Sequence, residues 1–86
     1  MYKIEFTKAA RKVYKNFSKD IQQIIDEKLS KLAESPYSPQ HDVKKLQDMD
    51  NCYRLRVRDW RIIYQIDNDV LIIEIVRIAH RKEVYK

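Results

Sequence analysis

The run Tyr53-Arg54-Leu55-Arg56-Val57-Arg58-Asp59-Trp60-Arg61-Ile62-Ile63-Tyr64 decides the fold of this chain. Apolar and basic side chains alternate along it, and a period of two is typical of a β-hairpin with one buried face. A two-residue turn at Arg58-Asp59 would pair Val57 with Trp60, Arg56 with Arg61, Leu55 with Ile62 and Tyr53 with Tyr64. Because arginine is costly at the positive φ that tight hairpin turns need, a longer or bulged turn is the alternative.

The hairpin carries four arginines, at Arg54, Arg56, Arg58 and Arg61. In the two-residue register Arg56 faces Arg61, and directly opposed like charges destabilise a hairpin. A polyanion bound between the two guanidinium groups would relieve that repulsion, so the pattern favours nucleic acid as a partner. The formal net charge of +5 favours the same class of partner, although a merely soluble surface gives the same composition.

Length and composition narrow the class of protein. The 86 residues, 44% of them hydrophobic, are enough for one small domain over residues 1–86. Cys52 is the only cysteine, which excludes an intramolecular disulfide, and we expect a cytoplasmic protein without membrane association. The sequence contains no glycine, which excludes phosphate loops and dinucleotide-binding fingerprints. The two histidines and one cysteine lack metal-ligand spacing, so we expect no metal site.

The flanking sequence completes an α+β fold. Residues 2–6 alternate like a short strand, and Thr7 and Ser18 are placed to cap two amphipathic helices. Ser35-Pro36 ends the second helix, and residues 36–51 form a polar connection. A last strand spans residues 70–78, and a turn at Asn68-Asp69 would place Glu74 opposite Ile63. The predicted order is β-α-α-β-β-β, with a helical hairpin packed on one side of a small, mostly antiparallel sheet.

This order, the basic hairpin and the ending Arg77-Ile78-Ala79-His80-Arg81-Lys82-Glu83-Val84-Tyr85 resemble the RelE family of bacterial and archaeal toxins. The resemblance implies a toxin of a type II toxin–antitoxin system that enters the decoding site of the ribosome and cuts the mRNA codon there. Cleavage would proceed by attack of the 2′-OH on the neighbouring phosphorus, without a cofactor. The implied partners are the ribosome, mRNA and a RelB-like antitoxin, with operator DNA contacted only through the antitoxin complex.

The resemblance also implies roles for individual residues. The candidate catalytic set is Arg54, Arg56, Arg61, His80, Arg81 and Tyr85. Guanidinium groups match phosphate in two-point contacts, His80 would act as a general acid, and Tyr85 could stack on a base. Further RNA contacts are expected from Lys44, Lys45, Arg58, Arg77 and Lys82. We expect Arg61 and Arg81 to lie on the surface.

Two departures from the family pattern concern glycine. Arg58 stands where many members have glycine before the Asp59-Trp60 position, and Ala79 stands where glycine is common before His80.

Two other functions remain open for this sequence. One is a ParE-like protein, which shares the fold but inhibits DNA gyrase. The other is an inactive toxin that binds an antitoxin and acts as a co-repressor.

Overall fold

One strand, two helices, four further strands and a final helical turn follow one another in a computed structural model that describes residues 1–47 and 50–84, the side chains of Glu83 and Val84 excepted. The strands in these ranges are β1 (Lys3–Phe6), β2 (Val43–Lys45), β3 (Cys52–Val57), β4 (Trp60–Asp67) and β5 (Ile72–His80). The helices are α1 (Lys8–Lys15), α2 (Lys19–Glu34) and the single turn α3 (Arg81–Val84). In the described ranges no helix is long and apolar enough to cross a membrane.

The strands form one mixed sheet in the order β1-β5-β4-β3-β2. β1 runs parallel to β5, and the other neighbours are antiparallel. The predicted α+β class and the helical hairpin are confirmed, but β2 and α3 were not predicted. β2 pairs with β3 through only three residues, with Val43 opposite Leu55. An alternation this short cannot be distinguished from a polar loop in the sequence.

The two long helices begin where their capping residues predict. The Thr7 hydroxyl accepts a hydrogen bond from the Ala10 N–H, at 3.2 Å, and the Ser18 hydroxyl accepts one from the Ile21 N–H. The apolar stripe of α2 faces the sheet, and Ile25 and Leu32 are fully buried. The core therefore lies between the helical hairpin and one face of the sheet, and neither of these two helices covers the opposite face.

The β3–β4 hairpin has the predicted tight register. Val57 pairs with Trp60, Arg56 with Arg61, and Leu55 with Ile62. The alternative of a longer turn is wrong, because Arg58 itself takes a positive φ of 56° while Asp59 does not. Positive φ at the first central residue alone is the pattern of a type II′ hairpin turn.

The β4–β5 connection differs from the prediction. Asp67 pairs with Ile72, so the turn contains residues 68–71 rather than Asn68-Asp69 alone, and Glu74 lies opposite Gln65 instead of Ile63. The Asp67 side chain accepts hydrogen bonds from the N–H groups of Asp69 and Val70, which opens the wider turn. As far as Tyr64 the shift is by two residues, so Ile73 and Ile75 still face the core. Beyond Tyr64 a further residue is inserted in β5, and Ile78 is buried instead of Arg77.

A hydrogen bond from the Tyr14 hydroxyl to Asp26 joins α1 to α2. Burial, followed by this bond and the charge of Asp26, raises the pKa of Tyr14 from about 10 to about 12. Because the folded-state pKa is the higher one, the stabilisation is complete below pH 10 and disappears as the pH rises from 10 to 12.

We expect Tyr14→Phe to lower the free energy of unfolding by roughly 1 kcal/mol at pH 8. The difference between wild type and variant should shrink above pH 10, as the stabilising term in the wild type is lost. Urea unfolding at pH 8, 9, 10 and 11 measures this directly. A difference that stays constant over that range would contradict the pKa argument.

Candidate functional site

A cavity of about 220 Å³ opens at the turn end of the β3–β4 hairpin. Its lining combines four cations, one carboxylate and one indole: Arg56, Arg58, Arg61, Arg81, Asp59 and Trp60. Three of the four arginines come from the hairpin itself. The fourth arrives because β5 runs antiparallel to β4, with His80 opposite Trp60, and the Arg81 N–H donates a 2.8 Å hydrogen bond to the Asp59 carbonyl.

The arginines of this cavity differ in their exposure. Arg56, Arg58 and Arg81 are exposed, whereas only 3% of Arg61 is accessible to solvent. The surface prediction is confirmed for Arg81 and wrong for Arg61. Arg61 lies on a central strand with Arg56 on one side and the buried Ala79 on the other, so neighbouring strands cover it. A cation shielded from water in this way acts more strongly on a nearby anion than an exposed one.

Asp59 is a cavity residue that the sequence analysis overlooked. Among the described residues it is the one carboxylate lining this cavity, and its Oδ1 lies 4.0 Å from Nη1 of Arg81. Both side chains are more than half exposed, so the pair adds at most about 1 kcal/mol to stability. Its position directly before Trp60, in the turn of a basic hairpin, was the available signal.

Trp60 lines the cavity and contacts the ring of His80. The indole contacts Phe17 edge-on at 4.6 Å between ring centres and His80 edge-on at 5.0 Å. His80 does not line the cavity, and its Nδ1 accepts a hydrogen bond from the Lys82 N–H at 3.3 Å. The predicted general acid, which directly precedes Arg81 in the sequence, is therefore not among the residues that line the cavity.

A second basic row crosses the open sheet face two residues further along the strands. The half-buried Arg54 pairs with Lys44 on β2 and with Ile63 on β4, and Ile63 in turn pairs with Arg77 on β5. Arg54, Lys44 and Arg77 therefore lie on the same face as Arg56 and Arg61.

The remaining predicted residues are dispersed. Lys45 pairs with Tyr53 and lines a different cavity, since adjacent residues of a strand point to opposite faces. Lys82 is exposed on α3, and Tyr85 lies outside the described residues.

A group of four acidic residues lies at the other end of the sheet. Glu74, predicted opposite Ile63, lines a cavity of about 600 Å³ together with Glu5, Asp67 and Asp69. Glu5 and Glu74 are neighbours in the β1–β5 register. Within residues 1–47 and 50–84, no group of three or more His, Cys, Asp or Glu side chains is arranged to hold a metal ion.

Comparison with known proteins assigns the family. The family model of the ParE toxin of type II toxin–antitoxin systems, parDE, matches residues 4–85. A RelE-like toxin protein of Escherichia coli is 31% identical over 94% of this chain and 84% of that protein. The mRNA interferase toxin RelE of E. coli strain K12 is 25% identical over 98% of this chain and 90% of that protein. The archaeal RelE–RelB complex from Pyrococcus horikoshii OT3 contains a chain that aligns with a TM-score of 0.80 at 25% identity, over 93% of this chain and 94% of that chain. The chain therefore belongs to the RelE/ParE family of toxins from type II toxin–antitoxin systems.

Proposed function

We propose that this protein is a toxin that cleaves mRNA on the ribosome, an mRNA interferase. The observation that carries the proposal is the convergence of Arg56, Arg61 and Arg81 on one small cavity. When the 2′-OH of RNA attacks the neighbouring phosphorus, negative charge builds up on the phosphorane and on the leaving 5′ oxygen. Guanidinium groups are suited to this charge, because they bind phosphate oxygens through two parallel hydrogen bonds and remain protonated.

The positions of the arginines suggest a different role in the reaction for each of them. Arg56 and Arg61, opposed on neighbouring strands, hold the scissile phosphate between them. Arg81, exposed at the rim, stabilises the charge that develops on the phosphorane or the leaving oxygen. Arg54 lies one row away and orients the 2′-OH, since a guanidinium cannot accept a proton at neutral pH.

Neither of the two candidate proton carriers lines the cavity, and we infer that the ribosome compensates by positioning the codon. His80 lies outside the cavity lining, and Glu74 is at the other end of the sheet. Holding the codon with its 2′-OH in line can supply roughly 7 kcal/mol or more of the barrier without any proton carrier. In this proposal the reaction is metal-independent, and Tyr85 stacks on a base of the codon.

The proposed binding partners follow from the same surface. Lys44, Arg58, Arg77 and Lys82 are exposed cations around the cavity and contribute RNA backbone contacts, whereas Lys45 contributes from the opposite face. We expect a RelB-like antitoxin to bind and silence the toxin, because the similar RelE chain of P. horikoshii forms a complex with RelB. The toxin contacts operator DNA only through that complex. We expect the toxin to act in the cytoplasm.

The first test asks whether cleavage needs the ribosome. Purified protein is incubated with one mRNA, with and without programmed ribosomes whose decoding site is vacant, and with EDTA added to the ribosome-free arm. We expect cuts in the vacant codon only, because the protein site alone lacks efficient proton transfer. Equal cleavage of free RNA would contradict ribosome dependence. Inhibition of gyrase supercoiling without RNA cleavage would instead select the ParE-like function.

The second test removes exposed cavity cations. Arg56→Gln and Arg81→Gln should each lower the single-turnover cleavage rate on ribosomes by on the order of a hundredfold, because each removes one preorganised cation. Both side chains are exposed, so the melting temperature should change by only a few degrees. Arg11→Gln, an exposed arginine on α1, is the matched control and should cleave at the wild-type rate. Wild-type cleavage by the Arg56 or Arg81 variant would remove that residue from the site.

A further inference from the structure

Arg58 occupies a backbone conformation that arginine ordinarily avoids. Its φ of 56° lies in the left-handed region, which glycine enters without steric cost and asparagine with little. The chain contains no glycine, and Asn51 and Leu71 also take positive φ in the described ranges, so strain alone does not indicate a function. Arg58 differs from Asn51 and Leu71 in its position. The strained turn places its exposed cation in the lining of the cavity that also contains Arg56, Arg61 and Arg81.

The spacing between Arg56 and Arg58 fits a nucleic-acid backbone. Val57 stands between them with its side chain buried on the helix side, and it leaves two arginines on the open side. Arg58 is the first residue after β3, and two residues of chain separate its backbone from that of Arg56 by at most roughly 7 Å. Adjacent phosphates of an extended RNA strand are separated by a comparable distance, so one arginine can face each phosphate.

We propose that Arg58 binds the phosphate next to the one held by Arg56 and Arg61, and that the strained turn is retained because it brings this cation into the cavity. The site would take two successive phosphates of one nucleoside, the 3′ and the 5′, rather than a single anion. The identity of the ligand as RNA backbone rests on the proposed function. The placement of Arg58 does not, because it follows from the hairpin register and the cavity lining.

The inference is tested with two ligands that differ by one phosphate. Calorimetry at constant ionic strength measures the binding of adenosine 3′,5′-bisphosphate and adenosine 3′-monophosphate to the wild type and to Arg58→Gly, Arg58→Asn and Arg58→Lys. We expect the wild type to prefer the bisphosphate about tenfold, as one additional charge-assisted contact allows. Arg58→Gly and Arg58→Asn should lose most of this preference and bind the monophosphate within about twofold of wild type. Arg58→Lys should keep much of it, because the cation remains.

Stability gives a second, independent readout. Glycine and asparagine accept a positive φ more readily than arginine, so Arg58→Gly and Arg58→Asn should melt at or above the wild-type temperature. Function and stability are therefore expected to move in opposite directions, which a merely structural residue would not produce. The control Arg11→Gln removes one charge from α1 and should leave the preference for the bisphosphate unchanged.

Three results would overturn the inference. The first is an Arg58→Gly protein that still prefers the bisphosphate about tenfold. The second is an equal loss of affinity for both ligands, which would place Arg58 on the shared phosphate. The third is a wild type that binds neither ligand. A wild type that binds the bisphosphate as expected but does not cleave mRNA on ribosomes would support this inference and contradict the proposed function.

Discussion

The opposition of Arg56 and Arg61 across β3 and β4 is the constraint around which the rest of the site is built. The pair is unfavourable by itself, because like charges face each other and one of them is almost fully buried. It persists because the flanking pairs Leu55–Ile62 and Val57–Trp60 belong to the core, and a slip by one residue would expose them. The apolar half of the hairpin thus holds the two guanidinium groups together, and a bound phosphate would offset the repulsion.

The β-bulge in β5 extends this arrangement to the C-terminal residues. The register shifts between Ile63 and Tyr64, so that Ile63 pairs with Arg77 and Tyr64 pairs with Ile75. With the extra residue Val76 accommodated, Arg77 faces the open side of the sheet and Ile78 is buried. An unbroken ladder would place Arg77 opposite the fully buried Ile62 in the core. The bulge therefore allows β5 to continue to the cavity and deliver Arg81.

The features that depend on neighbouring residues in sequence could be predicted. The caps at Thr7 and Ser18 and the β3–β4 register follow from local patterns, and the structure confirms them. The four hairpin arginines could be assigned to one face for the same reason. The turn at Arg58 is also the predicted two-residue turn, even though arginine is poorly suited to its positive φ.

Features that depend on distant partners could not be predicted. β2 exists because β3 offers it a partner, and Arg61 is buried because Arg56 and Ala79 flank it. The wide turn of residues 68–71 is a local feature, but it depends on hydrogen bonds from the N–H groups of Asp69 and Val70 to the Asp67 side chain, which the alternation of apolar and polar residues does not reveal. The contact of Asp59 with Arg81 joins positions 22 residues apart, and it requires both the bulge and the antiparallel pairing of β4 with β5.

We expect the opposed cations of the hairpin to lower its stability and a bound phosphate to offset that loss. Melting temperatures of the wild type and of Arg56→Gln, in phosphate and in chloride at equal ionic strength, test it most directly. We expect the variant to melt above the wild type in chloride, and phosphate to raise the melting temperature of the wild type more than that of the variant. A variant that melts lower in chloride and gains as much from phosphate as the wild type would contradict this account.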